Sequence, residues 1–106
     1  MKGKRVQIIG PITGDPDYRY KFGLAEAVLA GRGCKVFNPA KLPEGKDYEW
    51  YMRRCLSSLE DQDAICCLAG WEDSPGARRE YVQAMELGLE VFHAKPIQIL
   101  DIQRSM

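Results

Sequence analysis

Glu80 is the residue whose type and setting best suit chemistry. A step of about 100° per residue through the helix expected from position 75 onward puts Ala77, Tyr81, Ala84 and Gly88 on one arc, with Glu80 between Ala84 and Leu87 at its edge. That arc is apolar and should pack on a sheet, so the carboxylate borders a buried surface. An unpaired charge is costly to bury, and one kept there is either paired or used. Glu80 also lies just beyond the first helical turn, where the positive end of the helix dipole favours the ionised form. An ionised, partly dehydrated carboxylate at a ligand-binding edge is a good nucleophile. The other reading is an ion pair with an arginine at the rim.

Gly10-Pro11-Ile12-Thr13-Gly14 joins an expected strand to an expected helix and could set backbone N–H groups around a phosphate or sugar. It matches neither G-x-G-x-x-G nor the G-K-[ST] ending of a P-loop, so a plain turn fits the spacing equally well. Trp50, Tyr51 and Trp71 fall near the same predicted edge, where an aromatic face could stack on a base or simply pack. Glu72 and Asp73 could add polar contacts there, or stand as solvated loop residues. The four cysteines, Cys34, Cys55, Cys66 and Cys67, form no C-x-x-C pair, and His93 is the one histidine. No metal site is expected, and the thiols read as buried and reduced. Cys66 and Cys67 are neighbours in an expected strand and should face opposite ways.

The elements that position these groups alternate. Residues 5–9 are a short β-branched strand ending at Gly10-Pro11, followed by the turn-rich stretch 13–17. Tyr18, Phe22, Ala25 and Leu29 recur at helical spacing, and Gly31 and Gly33 close that helix. A strand over 34–37 is broken by Asn38-Pro39-Ala40. A helix with inner face Met52, Cys55, Leu56 and Leu59 follows and closes at 61–63. The wholly apolar run 64–68 suits a central parallel strand. Ser74 is a predicted N-cap with Pro75 at the first helical position, and this third helix should run to about Leu87 and stop at Gly88. Strands are expected at 90–93 and 97–100, with 101–106 as a tail or last helical turn. This order predicts one small doubly wound α/β domain over 1–106, a parallel sheet of about five strands with helices on both faces. Ligands of such sheets bind beyond the C-terminal strand ends, here the loops 10–17, 38–47 and 69–75.

Composition limits the partners. With 106 residues there is chain for one core. Lys+Arg and Asp+Glu number 15 each, a balance that disfavours a nucleic-acid polymer or an anionic membrane as partner. The longest apolar run, 64–70, falls short of the roughly 18 residues that a membrane span requires. The stretch after the basic N-terminus is too short for a signal peptide, so a cytoplasmic location is expected.

Taken in order, Ile8-Ile9-Gly10-Pro11-Ile12-Thr13-Gly14, Asn38-Pro39-Ala40, Asp63-Ala64-Ile65 and the run from Leu68 through Gly70-Trp71-Glu72-Asp73-Ser74-Pro75-Gly76-Ala77 to Glu80 resemble the small relatives of the nucleoside 2-deoxyribosyltransferases, over about residues 6–93. The G-W-x-x-S-x-G-A-x-x-E run is the specific part. The resemblance implies that Glu80 attacks the anomeric carbon of a nucleoside or nucleotide, giving a glycosyl-enzyme passed to a second base or to water, in the manner of retaining glycosidases. It requires no metal or organic cofactor and implies a homodimer or larger assembly. Ser74, six residues before Glu80, holds the place where hydrolases of 2′-deoxynucleoside 5′-phosphates carry a phosphate-binding serine. Gly10, Pro11, Thr13, Gly14, Tyr18, Asn38, Trp71 and Gly76 fall to the sugar, phosphate and base pocket. Two positions depart from the pattern. Cys55 stands where the family has an aspartate that helps the base depart, and Gln7 where it commonly has a tyrosine. Asp63, Asp47, Glu72 or Tyr18 are the residues that could compensate. Otherwise the chain is a nucleotide-binding module that keeps the pocket without turnover.

Overall fold

A computed structural model describes residues 2–94. The order is β1 (Arg5–Ile9), α1 (Tyr18–Gly31), β2 (Lys35–Phe37), α2 (Tyr48–Leu59), β3 (Ala64–Cys67), α3 (Pro75–Glu86) and β4 (Glu90–His93). All pairings are parallel and the strand order is β2-β1-β3-β4. The sheet thus has four strands where about five were expected; the fifth, at 97–100, lies outside the described residues. No helix among the described residues is long and apolar enough to cross a membrane.

Alternation along the strands divides the core into two layers. Val6 and Ile8 of β1 and Ala64 and Cys66 of β3 face α1, which contributes Phe22, Ala25 and Leu29. Ile9, Ile65 and Cys67 face the other way, toward Leu59 of α2 and Ala84 of α3. Helices therefore cover both faces, and Cys66 and Cys67 enter separate layers. All four cysteines are buried, and none is disulfide-bonded.

The helix starts follow from local capping. Asp47 accepts from Trp50 N at 2.7 Å and starts α2. Ser74 accepts from Ala77 N at 3.3 Å and starts α3, with Pro75 placed where no N–H is needed. Two stretches expected as plain loops, Pro39–Lys41 and Trp71–Asp73, form short 3-10 turns.

From β1 the chain moves outward through α1 to β2, then returns through α2 to β3 on the opposite side of β1. This reversal opens a crevice beyond the ends of β1 and β3, where α/β sheets hold ligands.

Candidate active site

A cleft of about 1180 Å³ occupies that crevice. The loop after β1 forms one wall, with Gly10, Thr13 and Gly14, and the start of α3 forms the other. Close packing joins the two at the floor. A Cβ on Gly70 would lie 3.3 Å from Pro11 Cγ, and Gly70 sits at φ +86°, a conformation that favours glycine. Gly76 performs a related task between helices, since a Cβ there would lie 3.1 Å from Met52 Sδ of α2 and 3.5 Å from the Tyr48 hydroxyl.

Glu80 reaches the cleft from α3. Its neighbours on the buried face of α3 are Ala77 and Ala84, small enough to bring the helix close to the sheet. Glu80 is 6% exposed, and its Oε1 accepts from Gln7 Nε2 at 2.8 Å. The same nitrogen donates to the Cys55 carbonyl at 3.0 Å. Among the described residues the rim ion pair considered from the sequence does not form: Arg79 turns to Glu49 at 3.2 Å, and the buried partner of Glu80 is an amide. Burial pushes the Glu80 carboxyl up to about 7, opposed by the Gln7 hydrogen bond. Removal from water thus outweighs the single donor and works against the ionised form expected from the sequence.

Cys55 also lines the cleft. Burial, and then the Glu80 charge, pushes its thiol up to about 12, so it stays protonated at neutral pH. Cys67, on β3, is likewise held neutral at about 12, by burial first. At the rim, the Lys21 ammonium 2.8 Å from Asp15 holds that carboxyl below its ordinary range. Among the described residues no group of three or more His, Cys, Asp or Glu is placed to hold a metal ion.

The family follows from the matched length: residues 4–93 match the family described as a domain of unknown function, DUF4406. This chain belongs to the DUF4406 family. No curated protein matches the DUF4406 chain. Among solved structures, the CMP N-glycosidase BcmB of Clostridium botulinum superposes with a TM-score of 0.60 at 17% identity, covering 85% of this chain and 70% of that one. At that identity the likeness is one of fold.

Of the residues singled out from the DUF4406 sequence, Gly10, Pro11, Thr13, Gly14, Tyr18, Cys55, Ser74, Gly76 and Glu80 line the cleft. Tyr51 and Asp73 line it as well, whereas Trp50, Asp47 and Glu72 are not among its lining residues, and neither are Asp63, Asn38 and Trp71. Asp63 lies at the far edge of the sheet, before β3, where its Oδ2 accepts from Arg5 N at 2.8 Å. Asn38 caps the 3-10 turn through Ala40 N at 2.9 Å and donates to Glu26 at 3.0 Å. Trp71 stacks on Tyr81 with ring centroids 4.3 Å apart, on the layer that Ile9 and Ile65 share. Asp63 directly precedes β3 and so falls at the end of the strands opposite the cleft, whereas for Asn38 and Trp71 motif order along the chain does not distinguish the two sides of a loop. The sequence reading left out Tyr48 and Met52 as cleft residues. The signal for them was the glycine at 76, which admits a neighbouring helix at close range.

Proposed function

We propose that this chain cleaves the N-glycosidic bond of a nucleoside or nucleoside 5′-monophosphate, as a member of the deoxyribosyltransferase-like superfamily. The observation that carries the reading is the buried carboxyl of Glu80, bonded to Gln7 on the wall of a cleft at the sheet's reversal point. The fold shared with a nucleotide N-glycosidase supports it.

In this mechanism ionised Glu80 attacks C1′ of the sugar. The C1′–O bond forms as the C1′–N bond breaks, and the base leaves with the bonding pair and takes a proton from water at the open rim. Water then attacks C1′, its proton goes to solvent, and Glu80 is released as the carboxylate; a second base in place of water gives transfer. Ser74 accepts from Ala77 N with one lone pair, which leaves its O–H to donate to a phosphate oxygen. No metal or organic cofactor enters these steps. We read the chain as one domain that works in the cytoplasm on a small molecule, as a homodimer or larger assembly.

One observation favours a second reading, a nucleotide-binding module with little turnover. The neutral Cys55 thiol is a poor substitute for a carboxyl acid. The test is incubation with ribo- and deoxynucleosides and their 5′-monophosphates, with free base measured by chromatography. Base release that disappears in Glu80→Ala supports the glycosidase. A nucleotide that raises Tm without base release supports the module.

A further inference from the structure

The geometry points to Gln7 as the positioning residue for Glu80: pinned by the Cys55 carbonyl, its side-chain amide holds one carboxyl oxygen and leaves the other for the sugar. This rests on the reading of Glu80 as nucleophile.

Gln7 lies mid-strand on β1 with 0% of its surface exposed, a position where an apolar residue would ordinarily stand. Both hydrogens of Nε2 are engaged, one by the Cys55 carbonyl at 3.0 Å and one by Glu80 Oε1 at 2.8 Å. The amide cannot be turned over, because a carbonyl only accepts and Oε1 in that place would set two acceptors face to face. In this orientation Gln7 Oε1 is buried without a hydrogen-bond partner among the described residues. An unmet acceptor costs stability that an apolar side chain of the same shape would not lose. The two hydrogen bonds therefore come at a cost that packing alone would not favour, and one of them fixes Glu80.

An amide neither gains nor loses a proton over the working range, so it donates at every pH. Its donor favours the ionised form of Glu80 and opposes burial. The titratable groups beside Glu80 are Cys55 from α2 and Cys67 from β3, both held neutral by burial. On α3 itself, the charge of Arg79 is committed to Glu49 and Tyr48. No cation among the described residues is bonded to Glu80, which leaves Gln7 to hold the carboxyl in the orientation that attack requires.

The test reads carboxyl and amide resonances in isotopically labelled protein, without substrate. In the wild type the Gln7 side-chain amide signals should shift with the Glu80 titration near pH 7, and that shift should vanish in Glu80→Gln. In Gln7→Met, of similar volume, the Glu80 midpoint should rise by about one unit or more. Base release should then fall at least ~10-fold in kcat with KM changed less than about twofold, and its acid limb should move up with the midpoint. Amide signals that ignore the Glu80 titration, or an unmoved midpoint in folded Gln7→Met, overturn the proposal. If Gln7→Met does not fold, the wild-type amide signals decide. A wild type that releases no base counts against the glycosidase reading alone, because the resonance arms need no turnover.

Discussion

Gly10, just after β1, and Leu68, just after β3, approach so closely that a methyl group on Gly10 would sit 2.9 Å from Leu68 Cβ. The floor of the cleft is built on that approach. Gly10→Ala is expected to force the two strand ends apart and cost about 1–3 kcal/mol, seen as a lower urea midpoint, together with weaker nucleotide binding. A wild-type midpoint in Gly10→Ala would mean that Leu68 yields without moving the loop.

The Glu80 carboxyl is held at about 7, against an ordinary 4.5. Between those values the folded chain retains a proton that the unfolded chain has lost, so stability falls as pH rises from about 4.5 to about 7 and is level above. Glu80→Gln should abolish this slope and gain about 1–3 kcal/mol over wild type at pH 8 relative to pH 4. Urea midpoints of both proteins across that range provide the check.

The same group sets the rate profile. Attack requires ionised Glu80, so base release should rise with pH through about 7 and then flatten. A rate that is constant from pH 5 to 8 would exclude Glu80 as a nucleophile that must lose its proton.

Cys55→Asp separates the two functional readings. A second carboxyl beside Glu80 would be kept protonated by burial and by its neighbour's charge, making it a competent acid. Turnover should rise at least ~10-fold if the native chain is a weak catalyst that lacks an acid, and change little if it is already an efficient glycosidase. Stability should fall in both cases, by about 1–3 kcal/mol, from burial of the added polar group.

Ser74→Asp tests the phosphate reading. Aspartate caps helices as well as serine does, so α3 and the urea midpoint should be unaffected. Its charge would repel a phosphate, and kcat/KM for a 5′-monophosphate should fall more than ~10-fold relative to the matching nucleoside. Equal losses for both substrates would remove the phosphate from this end of the cleft.

The strand and helix order was legible because the chain punctuates it well. Ser74-Pro75 marks one helix start, and the wholly apolar run at 64–67 marks a strand covered on both faces. Glu80 stood out because a charge on an arc with Ala77 and Ala84 needs an explanation. Its partner did not stand out: Gln7 and Glu80 are 73 residues apart, and a polar residue within a strand signals neither its face nor its neighbour. Asn38 and Trp71 were misplaced for the converse reason. Their turns are readable, but whether a turn residue points into a cleft or back into its own loop is decided by packing from other elements.

The alignment of β1 sets Gln7 beside Phe37 on one neighbour and Ile65 on the other. A slip of one position would carry the amide to the opposite side of the sheet, among Phe22, Ala25 and Leu29, away from the Cys55 carbonyl and Glu80. The native alignment gives Gln7 Nε2 both of its acceptors, so the residue that holds Glu80 also makes a one-residue misalignment of β1 costly as the chain folds.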